Sequence, residues 1–232
     1  MKDTMIAIVP AAGFGTRFGA GTNKPFHPLL GKPLIVWSLE LLETIDEVKE
    51  VIPVLKEQDM DRGIEVFEKY GLSKIRRIAP GGKERQDSVY HGLTLLKGKA
   101  DKVLIHDGAR PLIDGGTVRT TVKSITGFDG VVVGVPVKDT IKEVQDDIVK
   151  RTLRRDTLWA IQTPQLFLYS TLVKAYEKAF EEGFYSTDDS ALVERNGGKV
   201  RVVMGSYANI KVTTPEDVPV AELLLKAGGK AG

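Results

Sequence analysis

The sequence predicts an α/β fold: a mostly parallel sheet flanked by helices, with a two-stranded arm set apart from it. Three observations carry that reading. Short apolar, β-branched runs alternate with helical stretches as far as Val135. The first run leads directly into a glycine-rich loop, "AAGFGTRFGAGTNKP" (Ala11–Pro25). The alternation then breaks at 137–157, where charged residues surround two short alternating pieces.

Met5–Val9 is predicted as a buried strand ended by Pro10. After the glycine loop, Pro33 opens a helix that runs to about Leu42, and Val51–Leu55 is the second strand. Asp61–Tyr70 is a polar helix stopped by Gly71, and Ile75–Ala79 a third strand ended by Pro80-Gly81-Gly82. Glu84–Leu96 carries Val89, Leu93 and Leu96 on one helical face. Val103–His106 is the fourth strand, Thr117–Ile125 a helix and Val131–Val135 the fifth strand. Strands spaced by helices imply right-handed βαβ units, a Rossmann-like arrangement. Two alternating pieces around Gln145-Asp146-Asp147 predict a hairpin too polar for the main core. Helices follow at Tyr169–Glu182 and Asp188–Asn196, with a strand at Val200–Met204. A last helix starts with Thr214 as N-cap and Pro215 in its first position, and Gly228–Gly232 is a frayed tail.

A length of 232 residues suits one domain, 1–232, with the arm at about 137–157. Hydrophobic residues make up 42% of the chain, enough for a sizeable core. Lysine and arginine total 33 against 31 acidic residues, a balance of +2 that argues against a nucleic-acid or membrane surface. A cationic site must therefore be local. With no cysteine, a disulfide framework, a zinc-thiolate site and a cysteine nucleophile are excluded, which suits a reducing cytoplasm. Met1–Thr4 runs straight into a strand with no secretory stretch, and no segment approaches the roughly 18 apolar residues of a membrane span.

Three stretches carry candidate chemistry. In the opening loop Gly13, Gly15 and Gly19 are spaced by one residue and then three, which fits neither the dinucleotide nor the Walker pattern. What remains is a loop that lets backbone amides approach an anion, with Arg17 and, seven residues on, Lys24 to place two cations around a polyphosphate. A tight turn with solvated cations is the other reading, and composition leaves both open. Gly81-Gly82-Lys83-Glu84-Arg85-Gln86-Asp87-Ser88 offers the positive end of a helix, yet taken alone it reads as a capped turn with Arg85 in surface ion pairs. His106-Asp107-Gly108-Ala109-Arg110-Pro111 ends a parallel strand, where open α/β sheets bind ligands. An aspartate there can hold Mg²⁺ on phosphates, or pair with Arg110 to shape the loop, or both. His106 by itself reads as packed, and Lys211 as a solvated strand residue.

These stretches also carry a resemblance. "PAAGFGTRFGAGTNKPFHPLLGKPLI" resembles the signature of nucleotidyltransferases that join a sugar phosphate to a nucleoside triphosphate. "GGKERQDSVYHGL", "VLIHDGARP", "PVKDTIKEV", "LWAIQTPQLF", "STDDSALVE" and "ANIKVTTPEDV" are similar, in that order, to segments of the 2-C-methyl-D-erythritol 4-phosphate cytidylyltransferase family. The likeness runs from Ile6 to about Leu225. It departs at Asn23-Lys24-Pro25, where the family usually has Pro-Lys-Gln, and at Gly108, where alanine or serine is more frequent.

The resemblance implies a nucleotide-diphospho-sugar transferase-like fold and transfer of CMP from CTP to a polyol phosphate, a step of isoprenoid precursor synthesis. It assigns Arg17, Lys24 and Lys211 to the charged transition state. It assigns Pro10, Ala11, Ala12, Gly13, Gly15, Gly82, Ser88 and Asp107 to the nucleotide, with Asp107 on Mg²⁺. Arg110, Thr163, Thr187 and Asp188 fall to the acceptor. Thr140 and Arg155 reach a neighbour's acceptor from the arm of a homodimer. A ribitol 5-phosphate cytidylyltransferase ranks below this reading, because its opening motif more often has Ala-Gly-Gly where Ala11-Ala12-Gly13 stands. A non-catalytic nucleotide-binding module would not need Arg17, Lys24 and Lys211 together.

Overall fold

The computed structural model describes residues 4–13, 18 and 23–229. Strand β1 (Met5–Pro10) precedes a small ribbon, β2 (Pro28–Leu29) and β3 (Lys32–Pro33), then α1 (Leu34–Glu43), β4 (Val48–Leu55) and α2 (Met60–Lys69). Next come β5 (Ala79–Pro80), α3 (Arg85–Leu96), β6 (Lys102–Ile105), α4 (Gly115–Lys123) and β7 (Gly130–Pro136). The hairpin β8 (Lys142–Gln145) and β9 (Ile148–Thr152) leads to β10 (Trp159–Leu168), α5 (Tyr169–Glu181) and α6 (Asp189–Arg195). The described chain closes with β11 (Val200–Met204) and α7 (Asp217–Ala227).

Seven strands form one sheet in the order β11-β7-β10-β6-β1-β4-β5. All pairings are parallel except those of β10, which runs antiparallel to both β6 and β7. The α/β expectation therefore holds. Along β1, β6 and β7 both faces are buried, so these strands read as continuous apolar runs. Met5, Ala7 and Val9 face α1, α2 and α4, whereas Ile6 and Ile8 face α3 and α5. Val89, Leu93 and Leu96 of α3 are fully buried, each worth about 1.5–3 kcal/mol, and their burial fixes where the first turn of α3 points. A third cluster joins Phe18 from the glycine loop to Leu29, Leu34 and, on α7, Ala221 and Leu225.

Strand β10 departs from the sequence reading, which assigns no strand there. Its register with β7 jumps between Gln162 and Gln165, leaving Thr163 and Pro164 outside the ladder, with a cis peptide bond between them. Proline lacks the N–H a central strand needs, and a bulge is where a sheet tolerates it. The third predicted strand shrinks to Ala79–Pro80 plus a single bridge between Val51 and Ile75. Between them Arg77 ties the edge to β4 through its side chain, donating to both oxygens of Glu50 at 2.7 and 2.9 Å.

Helix starts shift for local reasons. α4 begins at Gly115 because Asp114 accepts from the Thr117 amide at 2.8 Å. Asp188 is the N-cap of α6, accepting from the Ser190 amide at 2.9 Å. α7 begins at Asp217, not at Pro215, because the Asp217 carboxylate reaches back to the amides of Thr213 and Thr214 at 2.7 and 2.8 Å. The hairpin forms as predicted, with Asp146 and Asp147 at positive φ in its turn. Every residue of β8 and β9 is exposed.

Candidate active site

The carboxyl ends of β1, β4 and β6 lie at one edge, and three loops meet there. Beyond β1, Ala11 donates its amide to the Val54 carbonyl at 2.9 Å; beyond β5, Gly81 donates to the carbonyl of Leu55, the last residue of β4, at 2.7 Å. These two loops touch so closely that a Cβ on Gly81 would sit 2.2 Å from Cβ of Ala12. At Gly82 the amide donates to Ser88 Oγ at 3.0 Å, and a Cβ would meet Cβ of Asp87 at 2.2 Å. The first turn of α3 is closed by a capping box between Glu84 and Asp87. Together the loops surround a cleft of about 280 Å³. Pro10, Ala11, Ala12 and Gly13 line it from one side, Gly82 and Ser88 from another, and Lys24, Asp107 and Lys211 from its charged rim.

Lys24 opens a short 3₁₀ turn, Lys24–Phe26, in which Pro25 takes a first-turn position that needs no N–H. The departure at Pro25 is thereby accommodated, with Lys24 still on the cleft. Its Nζ donates to the Val212 carbonyl at 3.3 Å. Lys211 lies in an irregular segment, not in the strand the sequence suggests, held to the β6 loop by the Val212 amide and the Ala109 carbonyl at 2.8 Å.

Asp107 is the centre of charge. Lys211 Nζ lies 2.8 Å from Oδ2, Arg85 Nε 3.3 Å from Oδ1 and Arg110 Nε 3.7 Å from Oδ2. Burial alone would push this carboxyl up, but Arg85, Lys211 and Arg110 outweigh it and hold it far below the usual carboxylate range. The Asp107–Arg110 pair thus coexists with a place on the lining of the cleft. Arg110 is further tied to the Asn209 carbonyl at 2.7 Å.

His106 lies fully buried behind this carboxylate. Its Nε2 is 3.2 Å from the Arg110 carbonyl, which can only accept, so Nε2 carries the proton. Nδ1 then accepts from the Thr163 hydroxyl at 3.0 Å, and that oxygen in turn accepts the Asp107 amide at 3.0 Å. The β10 bulge supplies this link. Burial pushes His106 down to about 4, and with both nitrogens engaged it is packed, not a proton acceptor for substrate.

A second, more polar cleft of about 260 Å³ adjoins the first and shares Arg85, Asp107 and Lys211 with it. Thr163, Thr187, Asp188 and Arg110 line it, so the predicted acceptor residues of the main body do converge. Thr140 and Arg155 do not join them within one chain. Both are exposed on the arm region, and Arg155 donates to the Lys138 carbonyl at 2.8 Å. Gly15 and Arg17 lie outside the described residues.

Sequence reasoning missed the role of Arg85, which is no surface pair. It bridges Asp107 and the buried Asp189, the latter at 2.7 Å. A cation in the first turn of a helix opposes the helix dipole, and that was the available signal. Among the described residues no group of three acidic, histidine or cysteine side chains could hold a metal, and no helix is long and apolar enough to cross a membrane.

Two adjoining clefts that share a carboxylate ringed by cations suit a reaction between a polyphosphate and a second anion. The family model described as IspD, 2-C-methyl-D-erythritol 4-phosphate cytidylyltransferase, matches residues 5–227. A protein of that name from Geotalea uraniireducens is 46% identical over 224 residues, covering 95% of this chain and 96% of its own. Another from Caldanaerobacter subterraneus is 45% identical, covering 95% and 98%. The crystal structure of 4-diphosphocytidyl-2C-methyl-D-erythritol synthase from Anaerococcus prevotii superposes with a TM-score of 0.86 at 34% identity, covering 97% of each chain. The Thermus thermophilus cytidylyltransferase superposes at 0.76 with 27% identity, covering 95% of this chain and 98% of its own. With its fold and nearly its full length matched, the chain belongs to the 2-C-methyl-D-erythritol 4-phosphate cytidylyltransferase family.

Proposed function

We propose that this protein transfers CMP from CTP to 2-C-methyl-D-erythritol 4-phosphate, forming 4-diphosphocytidyl-2-C-methyl-D-erythritol and pyrophosphate. The observation that carries the reading is the wall of Arg85, Asp107 and Lys211 common to both clefts, where two bound phosphates would meet. A phosphate oxygen of the acceptor attacks the α-phosphorus of CTP. One P–O bond forms there and the bond to the β-phosphate breaks, so pyrophosphate leaves. Such a phosphate is already ionised near neutral pH, since its second pKa is about 6, and no general base is required. The neutral, fully bonded His106 fits that requirement.

What the protein supplies is alignment and charge. In this reading Arg17, Lys24 and Lys211 stabilise the transition state. Backbone groups of Pro10–Gly13, Gly15 and Gly82, with Ser88, receive the nucleotide. Arg110, Thr163, Thr187 and Asp188 receive the acceptor.

Mg²⁺ fits the donor set: it commonly takes one carboxylate plus phosphate and water oxygens, and Asp107 offers that one. A carboxylate has about four lone-pair positions; Lys211 and Arg85 take two of them, and Arg110 Nε stands 3.7 Å off. Bound there, the ion would neutralise phosphate charge. The arm, exposed in a single chain, would complete a partner's site through Thr140 and Arg155 in a homodimer. A cytoplasmic setting suits the absence of cysteine.

The test is pyrophosphate release over four nucleoside triphosphates crossed with methylerythritol, ribitol and hexose phosphates. CTP with methylerythritol phosphate should dominate. Cytosine should be selected by backbone groups at Pro10–Ala12 and Gly81–Lys83, which would go unpaired against bound uracil. Equal use of UTP and CTP would defeat this reading of the base, and preference for ribitol phosphate would replace the acceptor.

A further inference from the structure

We propose that Arg85 is a positioning residue of the transfer, clamped between Asp189 and Asp107 so that it sets the Asp107 carboxylate in the wall the two clefts share. The proposal rests on the function stated above and adds a residue to which the family motifs gave no part. Arg85 Nη2 lies 2.7 Å from Asp189 Oδ2, while Nε lies 3.3 Å from Asp107 Oδ1. The other oxygen of Asp189 accepts the hydroxyl of Tyr176, which is fully buried and stacked on Tyr90.

Three features separate this clamp from ordinary packing. Asp189 is 1% exposed, and both its oxygens are used inside the protein, so it stands behind the site. Burying charges here gives folding little that apolar side chains would not give, whereas a forked guanidinium fixes direction. Arg85 also occupies the first turn of α3, the end of the helix that disfavours a cation. Finally, Lys211 holds Oδ2 of Asp107 at 2.8 Å and Arg85 holds Oδ1, so each oxygen has its own cation and the carboxylate plane is set. Removing Arg85 leaves Lys211 and Arg110 on the same oxygen and the plane free to turn.

Double-mutant cycles on the full chain test this. Arg85→Gln, Asp189→Asn and Tyr176→Phe are each made in the wild-type and Asp107→Asn backgrounds. Pyrophosphate release from CTP and methylerythritol phosphate is measured, together with CTP affinity by calorimetry without acceptor. A misplacement of about 1 Å can cost on the order of a hundredfold, so the first two changes should lower kcat/KM about ten- to a hundredfold. Tyr176→Phe, which keeps the ring, should lower it at least about threefold. In the Asp107→Asn background each effect should shrink to less than about twofold, since the group they act through is gone. Full effects persisting in that background, or an Arg85→Gln protein as active as wild type, would overturn the proposal. If thermal melting shows that Arg85→Gln does not fold, the Tyr176→Phe cycle decides by the same criterion. A wild-type protein that binds CTP but leaves methylerythritol phosphate untouched would defeat the functional reading alone, and the calorimetric cycle would still report whether Arg85 acts through Asp107.

Discussion

At the scale of single residues, burial and charge divide the work between two neighbours on one strand end. Asp107 faces the clefts with cations on both oxygens, and His106 faces inward with both nitrogens bonded. An unfolded histidine titrates near 6.5, whereas burial lowers His106 to about 4. Because the folded value is the lower one, the stability it secures is complete above about pH 6.5 and is lost as pH falls from there through 4. The difference amounts to about 3 kcal/mol. Urea unfolding of the metal-free protein at both ends of this window should show that loss, and His106→Gln should show a shallower one; equal slopes would place the acid sensitivity elsewhere. Lys24 makes the opposite kind of contribution. It is half-buried at the cleft rim, so Lys24→Ala should barely move the melting temperature. Turnover should fall by the equivalent of about 3–4 kcal/mol, as when one donor is removed from a comparable transition-state site. Near-normal turnover at unchanged melting would remove Lys24 from the chemistry.

At the scale of elements, the site depends on loops that approach one another more closely than side chains allow. Gly81→Ala should drive the turn before α3 away from Ala12, because the added carbon would start 2.2 Å from Ala12 Cβ. Overpacking of this kind costs about 1–3 kcal/mol, and CTP affinity should fall with it because Ala12 and Gly82 line the same cleft. Calorimetry showing full CTP affinity in a destabilised Gly81→Ala protein would separate the contact from the site. Much of this was legible in the sequence. Glycine pairs after apolar runs mark loop approaches, and parallel strands separated by helices put those loops at one edge. Strand β10 was not legible, because Pro164 interrupts the pattern that names a central strand and only the tertiary bulge reconciles the two. Arg85 escaped for a related reason: its buried partner Asp189 is over a hundred residues away, with a hydrogen bond across 104 positions. No local spacing reports such a pair.

At the scale of the whole molecule, the arm is the element one chain leaves unexplained. Val144, Ile148 and Val149 are 54%, 62% and 54% exposed on a two-stranded ribbon that forms a sheet of its own with every residue exposed, and such ribbons are marginal in water. In the proposed homodimer a second copy would cover them and bring Arg155 to a cleft it does not reach within its own chain. Deleting Glu143–Lys150 and closing with a short turn should therefore leave a folded, largely monomeric protein with weakened acceptor binding, read by ultracentrifugation and calorimetry. Arg155→Ala should spare CTP binding, since the described residues that line the proposed nucleotide cleft all belong to the main body. The stronger test combines two inactive chains, Arg155→Ala and Lys24→Ala, purified as heterodimers through different tags. If each site pairs the body of one chain with the arm of the other, a heterodimer gathers both lesions into one site and leaves its second site whole. Activity should then return toward half that of the wild-type dimer. If every chain owns its complete site, each site keeps one lesion whatever the pairing, and the heterodimer stays as inactive as its parents.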